Sequence, residues 1–166
     1  MGLPAFMLSI LHRQQTLLQE DFVARYPTDW LVWEPGPWQP PRSALQSNLE
    51  ATMAPKRQES RPVGNDAICF QLKPPKDGGL IRVGRATSND VVINDLTASR
   101  EQFSLRFEKG RWFLVSPQGQ LTVDGKSVSD LVELKSGSRV VLGDVALVVV
   151  SAEEMAARAG AFRPTP

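Results

Sequence analysis

The chain has 166 residues, with 19 Lys and Arg against 18 Asp and Glu, and a formal net charge of +1. That balance excludes the simplest nucleic-acid binder, which carries a basic excess or stripe, and the length fits one ordinary domain with an appended segment. One cysteine, Cys69, and one histidine, His12, exclude a disulfide framework, a Cys-rich zinc site and a His-cluster metal centre.

Residues 3–11 are apolar, but no basic residue precedes them and no small-residue cleavage site follows. A signal peptide is therefore not expected. No apolar run approaches the roughly 20 residues of a membrane-spanning helix, and a reducing, cytoplasmic setting is expected. Residues 5–26 predict a helix, with Leu11, Leu18 and Phe22 on one face, Met7, Leu8 and Leu17 close by, and Pro27 as the stop. His12 falls on this helix.

Residues 29–41 hold Trp30, Trp33 and Trp38 among a dense run of prolines. That composition argues against a helix or a central strand and allows at most a short edge strand at 30–33. The tryptophans fit a cap on the chain's own core, with a partner-binding or self-association patch as the alternative. The proline run also suits a polyproline ligand for another module. Residues 42–64 are polar and mixed in charge and read as a linker. The expected organisation is thus 1–41 as a helical and Trp/Pro-rich segment, 42–64 as linker, 65–151 as a β domain, and 152–166 as a short helix and tail.

From Asp66 onward the pattern changes. Ile68, Phe70 and Leu72 alternate with Ala67, Cys69 and Gln71, which places Cys69 in an apolar strand. Short β-rich runs recur at 80–83, 90–93, 102–107, 111–115, 121–123, 132–134, 139–142 and 146–150. Turn residues separate them, among them Lys109-Gly110, Pro117 with Gly119, Asp124-Gly125 and Gly143-Asp144. This spacing predicts an all-β sandwich or small barrel. Ser151, followed three residues later by Glu154, fits a capping box for a helix over 152–160.

The loops of that domain carry Gly84-Arg85, Ser99-Arg100 and Asp124-Gly125. Loops at one end of a sandwich converge, and an arginine fork with a hydroxyl and free backbone N–H groups suits a phosphate. No nucleotide-binding glycine loop, paired acid and base, or metal ligand set is visible, so an enzyme, a cofactor and a metal are not expected.

Gly84-Arg85, Asn89-Asp90-Val91, Ser99-Arg100 and Asp124-Gly125, followed by LKSGSRVVLGDVALVV, resemble the forkhead-associated (FHA) domain family over residues 66–151. The resemblance implies an FHA-type β-sandwich of roughly eleven short strands, flanked here by the N-terminal helix and extension and the short C-terminal helix. It implies a non-enzymatic adaptor that binds a threonine-phosphorylated protein downstream of a Ser/Thr kinase. Arg85 and Ser99 would contact the phosphate, Arg100 would assist, and Asp124 would hold the peptide backbone. Gly84, Asn89, Asp90, Gln102 and Gly125 would be structural. Two positions depart from the family: Gln102 stands for a framework histidine and Asp124 for an asparagine. An ionised Asp only accepts hydrogen bonds and opposes an incoming dianion. Asp124-Gly125 equally suits a type I′ hairpin turn, and the alternative function is a phosphate-blind structural or assembly scaffold.

Overall fold

The computed structural model describes residues 2–36, 62 and 64–163. Trp38 and nearly all of the expected linker lie outside the described residues. Among those described, twelve strands form two sheets. The first five elements are β1 (Ala5–Met7), α1 (Leu8–Leu18), a 3₁₀ turn (Gln19–Asp21), α2 (Phe22–Arg25) and β2 (Asp29–Trp33). Then follow β3 (Ile68–Leu72), β4 (Leu80–Gly84), β5 (Val91–Val92), β6 (Phe103–Glu108), β7 (Arg111–Val115), β8 (Thr122–Val123) and β9 (Lys126–Ser127). The chain closes with β10 (Val132–Leu134), β11 (Arg139–Leu142), β12 (Val145–Val150) and α3 (Ala152–Ala161). One sheet runs β1-β3-β2-β12-β11-β8-β9 and the other β10-β7-β6-β4-β5. All pairings are antiparallel except β4 with β5.

The sandwich expected from the strand spacing is therefore present, but the N-terminal residues belong inside it. β2 pairs with β3 on one side and β12 on the other, so it is a central strand and not the edge strand that its proline-rich flank suggested. The prolines begin only at Pro35, beyond the last ladder bond. Within β2 the side chains alternate between two cores. Leu31 and Trp33 point between the sheets, where they meet Phe70, Leu72, Leu105, Leu114 and Leu147. Trp30 and Val32 point outward, into a second core with Leu8, Leu11, Phe22, Tyr26, Met155 and Phe162 from the helices. The result is three layers: the five-stranded sheet, the seven-stranded sheet, and the helices.

The helix expected over 5–26 is split. Residues 5–7 pair with β3 as a strand. α1 then starts at a residue with no side-chain cap of its own. Its first turn is satisfied from far away in sequence: the Leu8 N–H donates to the Ala67 carbonyl at 2.9 Å, and the Ser9 N–H and hydroxyl donate to the Asp66 carboxylate at 2.8 and 2.6 Å. A carboxylate there also complements the helix dipole. Gln19, with φ of 47°, ends α1 before Pro27 can. Of the expected face, Leu11 and Phe22 are fully buried, whereas Met7 and Leu17 are exposed.

α3 begins as its capping signal predicts. The Ser151 hydroxyl accepts the Glu154 N–H at 3.2 Å, but the Ser151 N–H donates to Ser136 at 3.1 Å, not to Glu154. The helix is clamped across the sheet by Arg158, which forms a two-pronged ion pair with Glu34 at the end of β2. His12 donates from Nδ1 to the Ala159 carbonyl at 2.8 Å, joining α1 to α3.

Trp30 has no solvent exposure and sits at the centre of the outer core. Trp30→Ala should cost about 3–5 kcal/mol, read as a lower denaturation midpoint in urea. A fragment of residues 65–166 lacks β1, β2, α1 and α2 and leaves α3 as the only helix over the outer core. It should show no cooperative unfolding transition, whereas the full chain should.

Candidate functional site

Two loops at one end of the five-stranded sheet are in direct contact, and a glycine makes that possible. β4 ends at Gly84, where an added Cβ would collide with the Arg100 carbonyl oxygen and lie 2.9 Å from Asn89 Nδ2. With no side chain there, the loop after β4 lies against the loop before β6. The Arg85 N–H donates to the Ser99 carbonyl at 2.9 Å, and the Ala86 N–H to the Arg100 carbonyl at 3.0 Å. Buried Asn89 spans both loops, its Nδ2 donating to the Ala86 and Arg100 carbonyls at 2.9 and 2.8 Å. Asp90 closes the first loop: its carboxylate accepts the Arg82 N–H at 2.9 Å, and its own N–H returns to the Arg82 carbonyl at 3.0 Å.

Gln102 performs the bracing that its two-sided amide allows. It is 1% exposed. Its Oε1 accepts the Ser99 N–H at 2.8 Å, and its Nε2 donates to the Gln118 carbonyl at 2.6 Å. The Gln118 N–H donates back to the Gln102 carbonyl at 2.8 Å. A third loop, after β7, is thereby drawn against the serine. Gly119, at φ of +66°, sits so close that a Cβ would fall 2.7 Å from the Ser99 hydroxyl. The other flank of the serine loop is tied to the seven-stranded sheet. Asp95 accepts the Thr97 N–H and hydroxyl at 2.8 and 2.6 Å, and the Thr97 oxygen accepts the Asp144 N–H at 2.9 Å. Gly143 packs on Thr97 with no room for a Cβ.

These bonds leave specific groups unused. Half-buried Arg85 spends only Nε, donating to the Ala98 carbonyl at 3.0 Å. Its terminal guanidinium nitrogens, the Ser99 hydroxyl and the exposed Arg100 guanidinium have no hydrogen-bond partner among the described residues. Two guanidiniums and a hydroxyl on braced backbone suit a tetrahedral dianion, because charge-assisted, two-pronged bonds to phosphate oxygens are strong.

Gly84, Arg85, Asn89, Ser99, Arg100 and Gln102 are thus brought together, with Asp90 at the end of the same loop. Asp124 and Gly125 share no hydrogen bond with these three loops among the described residues. They form the two-residue turn of the β8–β9 hairpin, with φ of 51° and 83°, the left-handed pair a type I′ turn needs. The Asp124 carboxylate accepts the Arg139 N–H at 3.0 Å, and its own N–H donates to the Arg139 carbonyl at 2.8 Å. Sequence reasoning missed Gln118, Gly119, Asp95, Thr97 and Gly143. The Pro117 and Gly119 turn signal marked the place of the third loop but not its neighbour.

Cys69 lies outside this site, in the outer core, where burial pushes its thiol from 9.0 up to about 12. A neutral thiol is favoured in the fold, so its stabilising effect is full below pH 9 and fades as pH rises toward 12. Ellman's reagent at pH 8 should therefore react with Cys69 only after denaturation. In the site itself, Gln102→Leu leaves the Ser99 N–H and the Gln118 carbonyl without partners. Each such loss costs about 1–3 kcal/mol, and thermal unfolding should show a clear fall in midpoint, with Gln102→His falling less.

Residues 81–143 match the family model described as FHA domain. No curated protein matches. Among solved structures, the FHA domain of the CT664 protein from Chlamydia trachomatis is 15% identical, over 75% of this chain and 98% of that one, with a TM-score of 0.49. The FHA domain of an Arabidopsis thaliana hypothetical protein is 19% identical, over 84% and 90%, with a TM-score of 0.48. The N-terminal FHA domain of S. cerevisiae Rad53p, in complex with a phosphothreonine peptide, is 16% identical, over 54% and 88%, with a TM-score of 0.45. The residues that build the two touching loops, the Gln102 brace and the third loop all lie inside the matched stretch, and over residues 81–143 this chain matches the FHA domain family.

Proposed function

We propose that this protein is a phosphothreonine-peptide reader, a non-enzymatic adaptor that couples a Ser/Thr kinase substrate to a further partner in the cytoplasm. The observation that carries the reading is the convergence of Arg85, Ser99 and Arg100 on two interlocked loops, with their polar ends unspent. Arg85 takes the phosphate with its terminal nitrogens, held at Nε by the Ala98 carbonyl. Ser99 adds a hydroxyl, and Arg100 adds a second positive charge at the rim. A peptide backbone needs a donor and an acceptor beside the phosphate. Gln118 offers both on an exposed side chain, while its main chain is pinned on both sides by Gln102. The replacement of the family histidine by Gln102 is compatible with binding, because the brace to Ser99 is made. Residues 65–151 form the recognition unit in this reading, with 152–166 as its closing helix and tail. Residues 2–36 furnish two strands of its larger sheet and the helices that cover them, and 42–64 lead from that segment into the recognition unit.

The test is calorimetric titration with a degenerate phosphothreonine peptide library and its unphosphorylated twin. Binding of the phosphorylated library alone is expected. Arg85→Ala should weaken it by roughly tenfold or more, since one charge-assisted bond contributes about 1.5–3 kcal/mol. Gln118→Ala should weaken it by less. Equal affinity for phosphorylated and plain peptides would overturn the reading and leave a phosphate-blind scaffold.

A further inference from the structure

The open edge of the sandwich beside Arg85 is closed by residues outside the family match. β1 is the outer strand of the seven-stranded sheet and β5 the outer strand of the five-stranded one. Residues 2–4 run from one to the other. The Leu3 N–H donates to the Asp90 carbonyl at 3.0 Å, immediately before β5, and the Gly2 Cα faces that same oxygen, a Cβ there falling 3.2 Å from it. Leu3 packs its side chain against the core between the sheets. One residue later, the Pro4 carbonyl accepts the Gln71 N–H from β3 at 2.9 Å. The far end of this segment is anchored as well, through the bonds of Leu8 and Ser9 to Ala67 and Asp66.

We propose that residues 2–4 are a strap that holds the phosphate loop, residues 85–90, in its working shape. Asp90 is the end of that loop, and its neighbour Asn89 is the side chain that pins Ala86 and Arg100 together. Releasing Asp90 loosens Asn89, and loosening Asn89 lets the Arg85 loop part from the serine loop. β5 is two residues long and pairs on one side only, so it offers little resistance of its own. Residues 2–4 are then positioning residues for Arg85 and Ser99, which they do not touch. The effect on binding rests on the phosphopeptide reading; the effect on loop order does not.

The experiment compares the full chain with a form lacking residues 1–4, with Leu3→Pro, which removes the N–H donor, and with Leu3→Ala, which keeps it. Hydrogen exchange is followed at the amides of Arg85, Ala86, Asn89 and Asp90, each hydrogen-bonded within or across the loops. Titration with the phosphothreonine peptide library runs in parallel. The strap predicts exchange about tenfold faster at those four amides in the deletion and in Leu3→Pro, with the β6–β7 amides unchanged. It predicts peptide affinity lower by about three- to tenfold, the range of one lost hydrogen bond, and a smaller effect for Leu3→Ala. Unchanged exchange at 85–90 overturns the strap, as does exchange raised equally across the sheets, which marks a loss of global stability. If the full chain binds no phosphopeptide while loop exchange still rises locally, the strap stands and the phosphopeptide reading falls.

Discussion

The β3, β2 and β12 strands of the seven-stranded sheet have to bury both of their faces, and the rest of the architecture follows from that. β2, β3 and β12 place successive side chains in two different cores, one shared with the five-stranded sheet and one with the helices. A strand in that position reads as an unbroken apolar run, as Trp30, Leu31, Val32 and Trp33 do. Without α1, α2 and α3, the outward row of Trp30, Val32, Cys69 and Val150 would face water. The same burial makes Cys69 an inert thiol. It also explains why the helical layer is secured by groups distant in sequence, notably Glu34 with Arg158 and His12 with Ala159.

The site end of the molecule is built by subtraction as much as by contact. Gly84, Gly119 and Gly143 each stand where a side chain would strike a neighbouring loop, against Arg100, Ser99 and Thr97 respectively. Their absence of bulk lets two loops and one turn close on the serine loop from different sides. Polar side chains then lock the approach. Asn89 joins the first two loops, Gln102 joins the second and third, and Thr97 with Asp95 joins the second to the turn between β11 and β12. A buried polar network of this kind holds one arrangement well because each broken bond leaves a desolvated partner behind. The recognition groups remain outside the network, with their bonding capacity in reserve. At the opposite end of the five-stranded sheet the charges are paired off instead, Arg111 lying 3.6 Å from Glu133.

Much of this was legible in the chain itself. Period-two runs and turn residues located the strands from β3 to β12, with 111–115, 132–134 and 139–142 matching to the residue; only the two-residue β9 was not foreseen. The Ser151 cap located α3, because capping is a local bond between near neighbours. The Gly-Arg and Ser-Arg pairs marked the touching loops, since glycine where a loop must approach closely, and arginine where an anion must be met, leave a signature in residue type alone.

Other features depended on partners that no local pattern names. Strand 29–33 was central because β3 and β12 lie beside it, while its prolines, read locally, argued for an edge. Residues 5–7 became a strand because β3 supplied hydrogen bonds that outweighed helical periodicity, and α1 took its cap from Asp66, 57 residues away. No local pattern named the contact of the 117–119 loop with Ser99, which arises where the chain leaves β7 for β8 in the other sheet. The sequence by itself determined the strands, the turns and the chemistry available to the loops, since these rest on local sterics and residue type. Only the tertiary structure decided which loops meet, because a hydrogen bond such as that of Gln102 to Gln118 exists only once two sheets have packed and brought distant backbone within reach.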